Sequence, residues 1–293
     1  METNVLGKSY VVTGATSGIG LAVAEGLARQ GAFVIGVGRS AERCREAERR
    51  LRALHPGGEA CCLTADLSLQ SSVRALAGQI RAVVEGRGGH LDGLVNNAGT
   101  FTYWLTLTPE GFETQWAVNH LAPFLLTNAL LPLLQAAPAA RVVTVSSDSH
   151  YGARLNWDDI QLRRRYNGLR AYGQTKLANV LFTQELNLRL GAGSPVRAFA
   201  ADPGLVKTEI GFKGTPALVR WIWGRRRAGG ISPEASARGI LYLLTEPGIQ
   251  DAPQVYWRHG EPRPCSKQAL DRASAARLWD LSAKMVGAAS EVI

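Results

Sequence analysis

Short, almost unbroken apolar runs recur between longer amphipathic stretches, and this alternation constrains the fold more than any other feature of the chain. Runs such as AFVIGV and RVVTVS show little polar–apolar alternation, as strands covered on both faces require. Strands are predicted at 8–13, 32–37, 59–64, 91–96, 140–146, 195–201 and 253–257. Helical patterns fill the gaps at 18–30, 40–54, 69–85, 109–136, 170–190, 233–246 and 268–287. Pro109 and Pro233 each follow a residue able to cap, Thr108 and Ser232, so both prolines are placed in first helical turns. Such alternation calls for right-handed crossovers and an α/β fold: a doubly wound parallel sheet of about seven strands with helices on both faces.

The 293 residues, 46% of them hydrophobic, suffice for one large core. No repeat, low-complexity tract or linker interrupts them, so one domain over 1–293 is expected. Its least regular parts are an insertion at about 148–169 and a lid at about 205–231. In doubly wound sheets ligands bind beyond the carboxyl ends of the strands. Both irregular stretches follow a strand and so begin at that edge. No 18-residue run is both uncharged and apolar throughout, so no membrane span is expected. The apolar run YVVTG within ten residues of the start leaves no room for a signal peptide or anchor ahead of it, and a cytoplasmic location is expected. Cys44, Cys61, Cys62 and Cys265 lack paired metal spacing and read as reduced thiols, with no metal site. The net charge of +9 comes mostly from arginine, with runs at Arg43–Arg52, Arg163–Arg165 and Arg225–Arg227. These runs are scattered and match no nucleic-acid module, so they read as solvated faces plus one anionic ligand rather than a nucleic-acid surface.

That ligand has a candidate seat. The first strand runs into TGATSGIG, which places Gly14, Gly18 and Gly20, with Thr16, Ser17 and Ile19 between them, at a strand-to-helix turn. Glycine there lets the backbone turn tightly and approach a diphosphate, and the helix that follows offers unpaired N–H groups and its positive end. The spacing G-x-x-x-G-x-G differs from the commoner dinucleotide fingerprint G-x-G-x-x-G. The second strand ends in VGRS. An acid that would accept the ribose 2′-hydroxyl of NAD is missing; Gly38 stands near that place and Arg39 follows. A guanidinium can take a 2′-phosphate through paired charge-assisted hydrogen bonds, which favours NADP(H) over NAD(H); the alternative is a solvated arginine at a helix start.

In AYGQTKLANV, Tyr172 and Lys176 stand four residues apart, on one face of a helix. Alone, the pair fits a surface helix with a snorkelling lysine. In company it means more. TGATSGIG, Asp66 in ADLS, NNAG at 96–99, Asn119, VSS at 145–147, Tyr172 with Lys176, and DPGLVKT at 202–208 together resemble the short-chain dehydrogenase/reductase family, in the single-domain Rossmann-type oxidoreductase branch. The resemblance implies that Tyr172 is the catalytic acid/base. Lys176 would bind the nicotinamide ribose and lower the tyrosine pKa. Ser147, rather than Ser146, would hold the substrate oxygen, and Asn119 would anchor a water leading from Lys176 to solvent. Asp66 and Asn96 would line the adenosine side with Leu67 beside the adenine. Asn97, Ala98, Gly99, Pro203, Gly204 and Val206 would also touch the cofactor, and Thr208 would hold the nicotinamide carboxamide or the diphosphate. Free tyrosine titrates near ~10, so a base working near neutrality needs a neighbouring cation. Family members are often dimers or tetramers, so a homodimer or homotetramer is an expectation.

Ser147 and Tyr172 are 25 residues apart, wider than in many family members. The added segment DSHYGARLNWDDIQLRRRYNGLR resembles that of retinol-dehydrogenase-like members. This implies a hydrophobic ketone, aldehyde or alcohol as substrate. Phe101, Tyr103, Trp104, His150, Tyr151, Leu205, Trp221 and Trp223 are candidate contacts for it, each also readable as plain packing. The stretch WIWGRRR could touch a membrane surface. Two other functions compete: a non-catalytic NADP(H)-binding regulator, and a lyase or isomerase on a retained cofactor. The complete set Asn119, Ser147, Tyr172 and Lys176 argues against the first, and the glycine spacing against the second.

Overall fold

The computed structural model describes residues 5–206 and 229–288, and in them one sheet carries the strand order β3-β2-β1-β4-β5-β6-β7-β8. The strands are β1 (Ser9–Thr13), β2 (Phe33–Gly38), β3 (Ala60–Thr64), β4 (Gly93–Asn96), β5 (Ala140–Val145), β6 (Val196–Asp202), β7 (Tyr256–Arg258) and β8 (Glu261–Pro262). All neighbours run parallel except β7 and β8, so the expected doubly wound sheet gains an eighth, antiparallel edge strand. Two residues of sequence EP carry no strand signal. They pair because His259 and Gly260 both take positive φ, 54° and 81°, and turn the chain back.

The helices are α1 (Gly18–Ala28), α2 (Ala41–Arg52), α3 (Gln70–Glu85), α4 (Thr114–Trp116), α5 (Ala122–Gln135), α6 (Gly168–Leu190), α7 (Pro233–Thr245) and α8 (Arg272–Met285). Every residue of β1, β2 and β5 is buried, because helices cover both faces. The pleat sorts the side chains. Val11 joins one apolar cluster with Leu76, Leu130 and Leu181, from α3, α5 and α6, while Tyr10 and Val12 join another with Val23 and Ile240, from α1 and α7.

Two helix readings are corrected. The helix expected at 109–136 begins at Thr114. Gly111, at φ 81°, turns the chain so that Thr108 N–H donates to Phe112 O at 2.7 Å, leaving Pro109 in that turn; Glu113 then caps α4 through Gln115 and Trp116 N–H. The helix expected at 268–287 is split. The Asp271 side chain accepts from Ala273 N–H and starts α8, after a 3-10 turn at Lys267–Leu270. Pro233 does take the first turn of α7, with Ser232 accepting from Ala235 N–H.

Between α4 and α5 the backbone widens into a π turn, Ala117–Leu121. The uncharged stretch Thr114–Gln135 thus forms one helical rod with the length and mean hydropathy, 1.4, to cross a membrane, yet 83% of its most apolar window is buried inside the fold. It serves as a core rod.

Within the rod His120 is fully buried, its Nε2 2.8 Å from Ser282 Oγ on α8. Burial pushes its pKa down to about 4, with Asn179 opposing. The folded pKa lies below the unfolded value, so the unfolded state takes up the proton first. Stability from the neutral ring is therefore present above pH ~6.5 and lost as pH falls toward about 4, by about 3 kcal/mol. Urea unfolding across this range is expected to show that loss in the wild type and a smaller one in His120→Gln.

Candidate active site

Where strand order reverses between β1 and β4, one hydroxyl joins the two strand ends. Thr13 Oγ donates to Val95 O at 3.2 Å and accepts from the N–H groups of Asn97 and Ala98, both at 3.0 Å. Asn97 Nδ2 returns a bond to Thr13 O at 2.8 Å. Sequence reasoning passed over Thr13; the available signal was a hydroxyl closing an otherwise apolar strand directly before Gly14. The chain turns at Gly14 with φ 70°, and a Cβ at Gly20 would lie 2.3 Å from Gly14 O, so α1 packs on the turn only because residue 20 has no side chain. Ile19 is buried, Thr16 and Gly18 are half-buried and Ser17 is exposed. The side chain of Ser17, the N-cap of α1, makes no capping hydrogen bond. The first turn of α1 therefore keeps its capacity for an anion.

On the β2–β3 side, Gly38 is packed shut: a Cβ there would meet Thr16 Cγ2 at 2.4 Å. Arg39 is exposed beside Ser40, which caps α2. Asp66 accepts from Ser68 N–H at 2.9 Å, and Leu67 is half-buried against the core. Asn96 is corrected. It is buried and donates to Thr127 Oγ at 2.9 Å, holding α5 to the sheet instead of facing the adenosine side.

Lys176 is buried on α6 and donates from Nζ to Val145 O at 3.0 Å, 5.3 Å from the centre of the half-buried Tyr172 ring. A Cβ at Gly99 would lie 3.9 Å from this Nζ and 3.5 Å from Asn119 Oδ1, so Gly99, Asn119 and Lys176 converge. Asn119 sits in the π turn, accepts from Thr100 N–H at 2.7 Å and donates to Thr100 O and Thr175 Oγ. Wide turns of this kind often sit at functional sites. Ser146 is buried and donates to Lys176 O at 2.8 Å, whereas Ser147 is half-buried, its Oγ bonded locally to Asp148 and Ser149. Burial pulls the Lys176 pKa down to about 8, against the pull of Asp202. Burial, then the Asp202 and Asp148 carboxylates, push the Tyr172 phenol up. Burial is thus the largest influence on both groups, and it favours the neutral form of each.

At the end of β6, Asp202 Oδ1 accepts from Gly204 N–H at 2.8 Å, Pro203 O accepts from Ser236 Oγ, and Val206 pairs with Ile231. Thr208, Trp221, Trp223 and most of the expected lid lie outside the described residues. Phe101 meets Tyr172 edge-on at 6.0 Å, and Trp104 is 63% exposed against Tyr103. Leu205 is exposed, and the exposed Tyr151 donates its hydroxyl to Pro264 O. His150 is fully buried, with both ring nitrogens facing protein partners, and is not a surface for substrate.

Fold and site define a class: an oxidoreductase on a doubly wound sheet. The chain belongs to the short-chain dehydrogenase family, whose pattern it matches over residues 8–216, as a retinol-dehydrogenase-like member. It is similar to human retinol dehydrogenase 14, with 36% identity over 302 residues covering 96% of this chain and 87% of the relative. Among solved structures it is similar to an uncharacterized protein from Mycobacterium paratuberculosis (TM-score 0.75, 37% identity, 97% of this chain and 95% of that one). It is also similar to a metagenomic short-chain oxidoreductase in complex with NADP (TM-score 0.65, 27% identity, 89% and 100%).

Thr13→Val keeps the shape of the residue and leaves two N–H groups without their acceptor. A loss of about 2 kcal/mol is expected from unpaired donors of this kind, read from the urea midpoint at unchanged m-value.

Proposed function

We propose that the chain is an NADP(H)-dependent oxidoreductase that interconverts hydrophobic ketones or aldehydes with their alcohols. The observation that carries this reading is the convergence of Tyr172, Lys176, Asn119 and Gly99 at the carboxyl edge of the sheet, beside a glycine turn closed to side chains. The turn fits a dinucleotide diphosphate: Gly14 and Gly20, with no room for a Cβ, seat the start of α1 directly on the turn, and the cap residue of that helix start is unbonded. Gly14, Thr16, Ser17, Gly18, Ile19 and Gly20 would hold the diphosphate. Arg39 would take the 2′-phosphate, Asp66 and Leu67 the adenosine side, and Asn97, Ala98 and Gly99 would touch the cofactor between there and Lys176. Pro203, Gly204, Val206 and Thr208 would hold the nicotinamide end and Lys176 its ribose. The bound cofactor supplies the hydride.

The chain's own residues supply the proton and the alignment. Tyr172, held protonated at neutral pH by its burial, donates its phenolic proton to the carbonyl oxygen as that oxygen gains charge. Ser147 Oγ gives the same oxygen a second hydrogen bond. Asn119 holds the route by which Lys176 exchanges protons with solvent. Phe101 lies edge-on to Tyr172, and Tyr103 and Trp104 follow it in the chain as a further aromatic pair, which supports a hydrophobic substrate.

With NADPH and a panel of hydrophobic ketones, Tyr172→Phe is expected to lower kcat by about 10²–10⁴-fold with NADPH affinity unchanged. Activity within a few-fold of wild type would remove Tyr172 from the mechanism. Arg39→Ala is expected to cut the NADPH-over-NADH preference in kcat/KM by roughly 10- to 100-fold, the worth of one hydrogen bond to a charged group. A wild type that uses both cofactors equally would end the NADP(H) assignment.

A further inference from the structure

We propose that His150 is a positioning residue for Ser147, clamping it to the helix that carries Tyr172 and to the turn at Gly204; the inference rests on the role of Ser147 given above. His150 grips the Ser147 carbonyl twice, through its backbone N–H at 3.2 Å and its ring Nδ1 at 2.7 Å. A carbonyl can only accept, so Nδ1 carries the proton. Nε2 then accepts from Ser266 N–H at 3.1 Å, and a single neutral tautomer satisfies both ring nitrogens.

The clamp closes on two sides. Ser266 Oγ caps the turn Lys267–Leu270, and Ala269 O in that turn accepts from Gln184 Nε2, on α6, at 2.6 Å. Tyr172 rides on the same helix. The turn carrying Ser147 also touches α6 directly: a Cβ at Gly173 would lie 3.0 Å from Ser149 O, so the residue beside Tyr172 must be small for the turn to seat. On the other side the imidazole packs between the rings of Tyr151 and Tyr256, with centroids 4.1 and 4.5 Å away. Tyr256 donates its hydroxyl to Asp202 Oδ2 at 2.9 Å, and the other oxygen of Asp202 accepts from Gly204 N–H.

Ser147 needs such support. Among the described residues its own hydroxyl bonds only to Asp148 and Ser149, partners within its own turn. Those bonds do not fix the turn relative to Tyr172; the His150 ring does so together with the Ser146–Lys176 hydrogen bond and the contact of Ser149 O with Gly173. A displacement of about 1 Å at a reacting centre costs up to ~10²-fold in rate.

The test uses the full chain with NADPH and one hydrophobic ketone. His150→Phe keeps the aromatic packing and removes both nitrogens; it is expected to lower kcat by roughly 10- to 100-fold while NADPH Kd, read by fluorescence, stays within about threefold. His150→Asn restores a donor near the Nδ1 position and should recover most of the loss. In a Ser147→Ala background, His150→Phe should cost no more than about threefold further, since the two act through one hydroxyl. Wild-type kcat in His150→Phe, no recovery in His150→Asn, or an undiminished further loss in the Ser147→Ala background overturns the proposal. Wild-type kcat in Ser147→Ala itself overturns the assignment of that serine, and the clamp with it, whatever the His150 variants do. Should the variants not fold, ¹⁵N spectra of wild-type His150 at pH 7 decide. The neutral Nδ1–H form is required, and the Nε2–H form or the cation overturns the proposal.

Discussion

Parallel strands whose order reverses must part at their carboxyl ends, and β1 and β4 part after Thr13 and Asn96. Everything in the site depends on how that opening is held. Thr13 holds it with one hydroxyl in three hydrogen bonds, and Asn97 returns a fourth to the Thr13 carbonyl. The turn at Gly14 and the stretch from Asn97 to Gly99 are thereby fixed against each other. The glycines follow from this closeness, since a Cβ at Gly14 would sit 2.9 Å from Asn97 Nδ2.

Deeper in, the carbonyl that ends β5 organises the polar groups of α6. Val145 O accepts from Lys176 Nζ and from Asn179 Nδ2, so a buried ammonium is held by a neutral partner. Burial without an ion-pair partner in contact explains why the lysine pKa falls to about 8 while more distant Asp202 only moderates the fall. Burial acts on the phenol with the opposite sign, raising its pKa, and the Asp202 and Asp148 carboxylates add to the rise, so all three favour its neutral form. Asp202 is itself held by Tyr256 and Gly204, with Arg258 Nε 3.7 Å away, so its charge is built into the β6 end.

The seven longer strands could be read to within a few residues, most clearly β1, β2 and β5, because strands buried on both faces leave an unbroken apolar signature. Helix starts were less legible. The turn at Gly111 and the Asp271 cap are local choices that the helical period of the flanking residues conceals. The site was legible where chemistry needs a residue type at a spacing: the glycines, Tyr172 with Lys176, and the pair of serines. It was not legible where tertiary packing decides. His150 reads as a pocket residue from its distance to Ser147, yet the chain from Pro264 to Ser266, more than a hundred residues on, covers it. Asn96 and Asn97 are adjacent amides in one motif, and only the pleat sends one into the core and the other to the crevice.

The segment inserted before Tyr172 has the composition of a loose loop, rich in arginine and polar residues, and yet it is bound at many points. Gln174 on α6 accepts from Asn156 N–H and donates to Ile160 O, and Gln161 accepts from Glu113 N–H. Tyr166 donates to the buried carboxylate of Glu113 at 2.9 Å, and its hydroxyl lies 2.8 Å from both Thr102 Oγ and Gln115 Nε2. Burial raises the Glu113 pKa, and the N–H groups that it caps, with the Tyr166 hydroxyl, pull the other way. The same carboxylate starts the rod that bears Asn119 and anchors the insertion that backs Thr102. Phe101, beside Thr102, touches Tyr172. A Cβ at Gly168, at the start of α6, would lie 2.3 Å from Thr102 O, so the chain at Thr102 and the helix that bears Tyr172 are in backbone contact. Physically, then, the insertion is a wall. Its hydrogen bonds run to the elements that hold Asn119 and Tyr172, and it could not open without moving both.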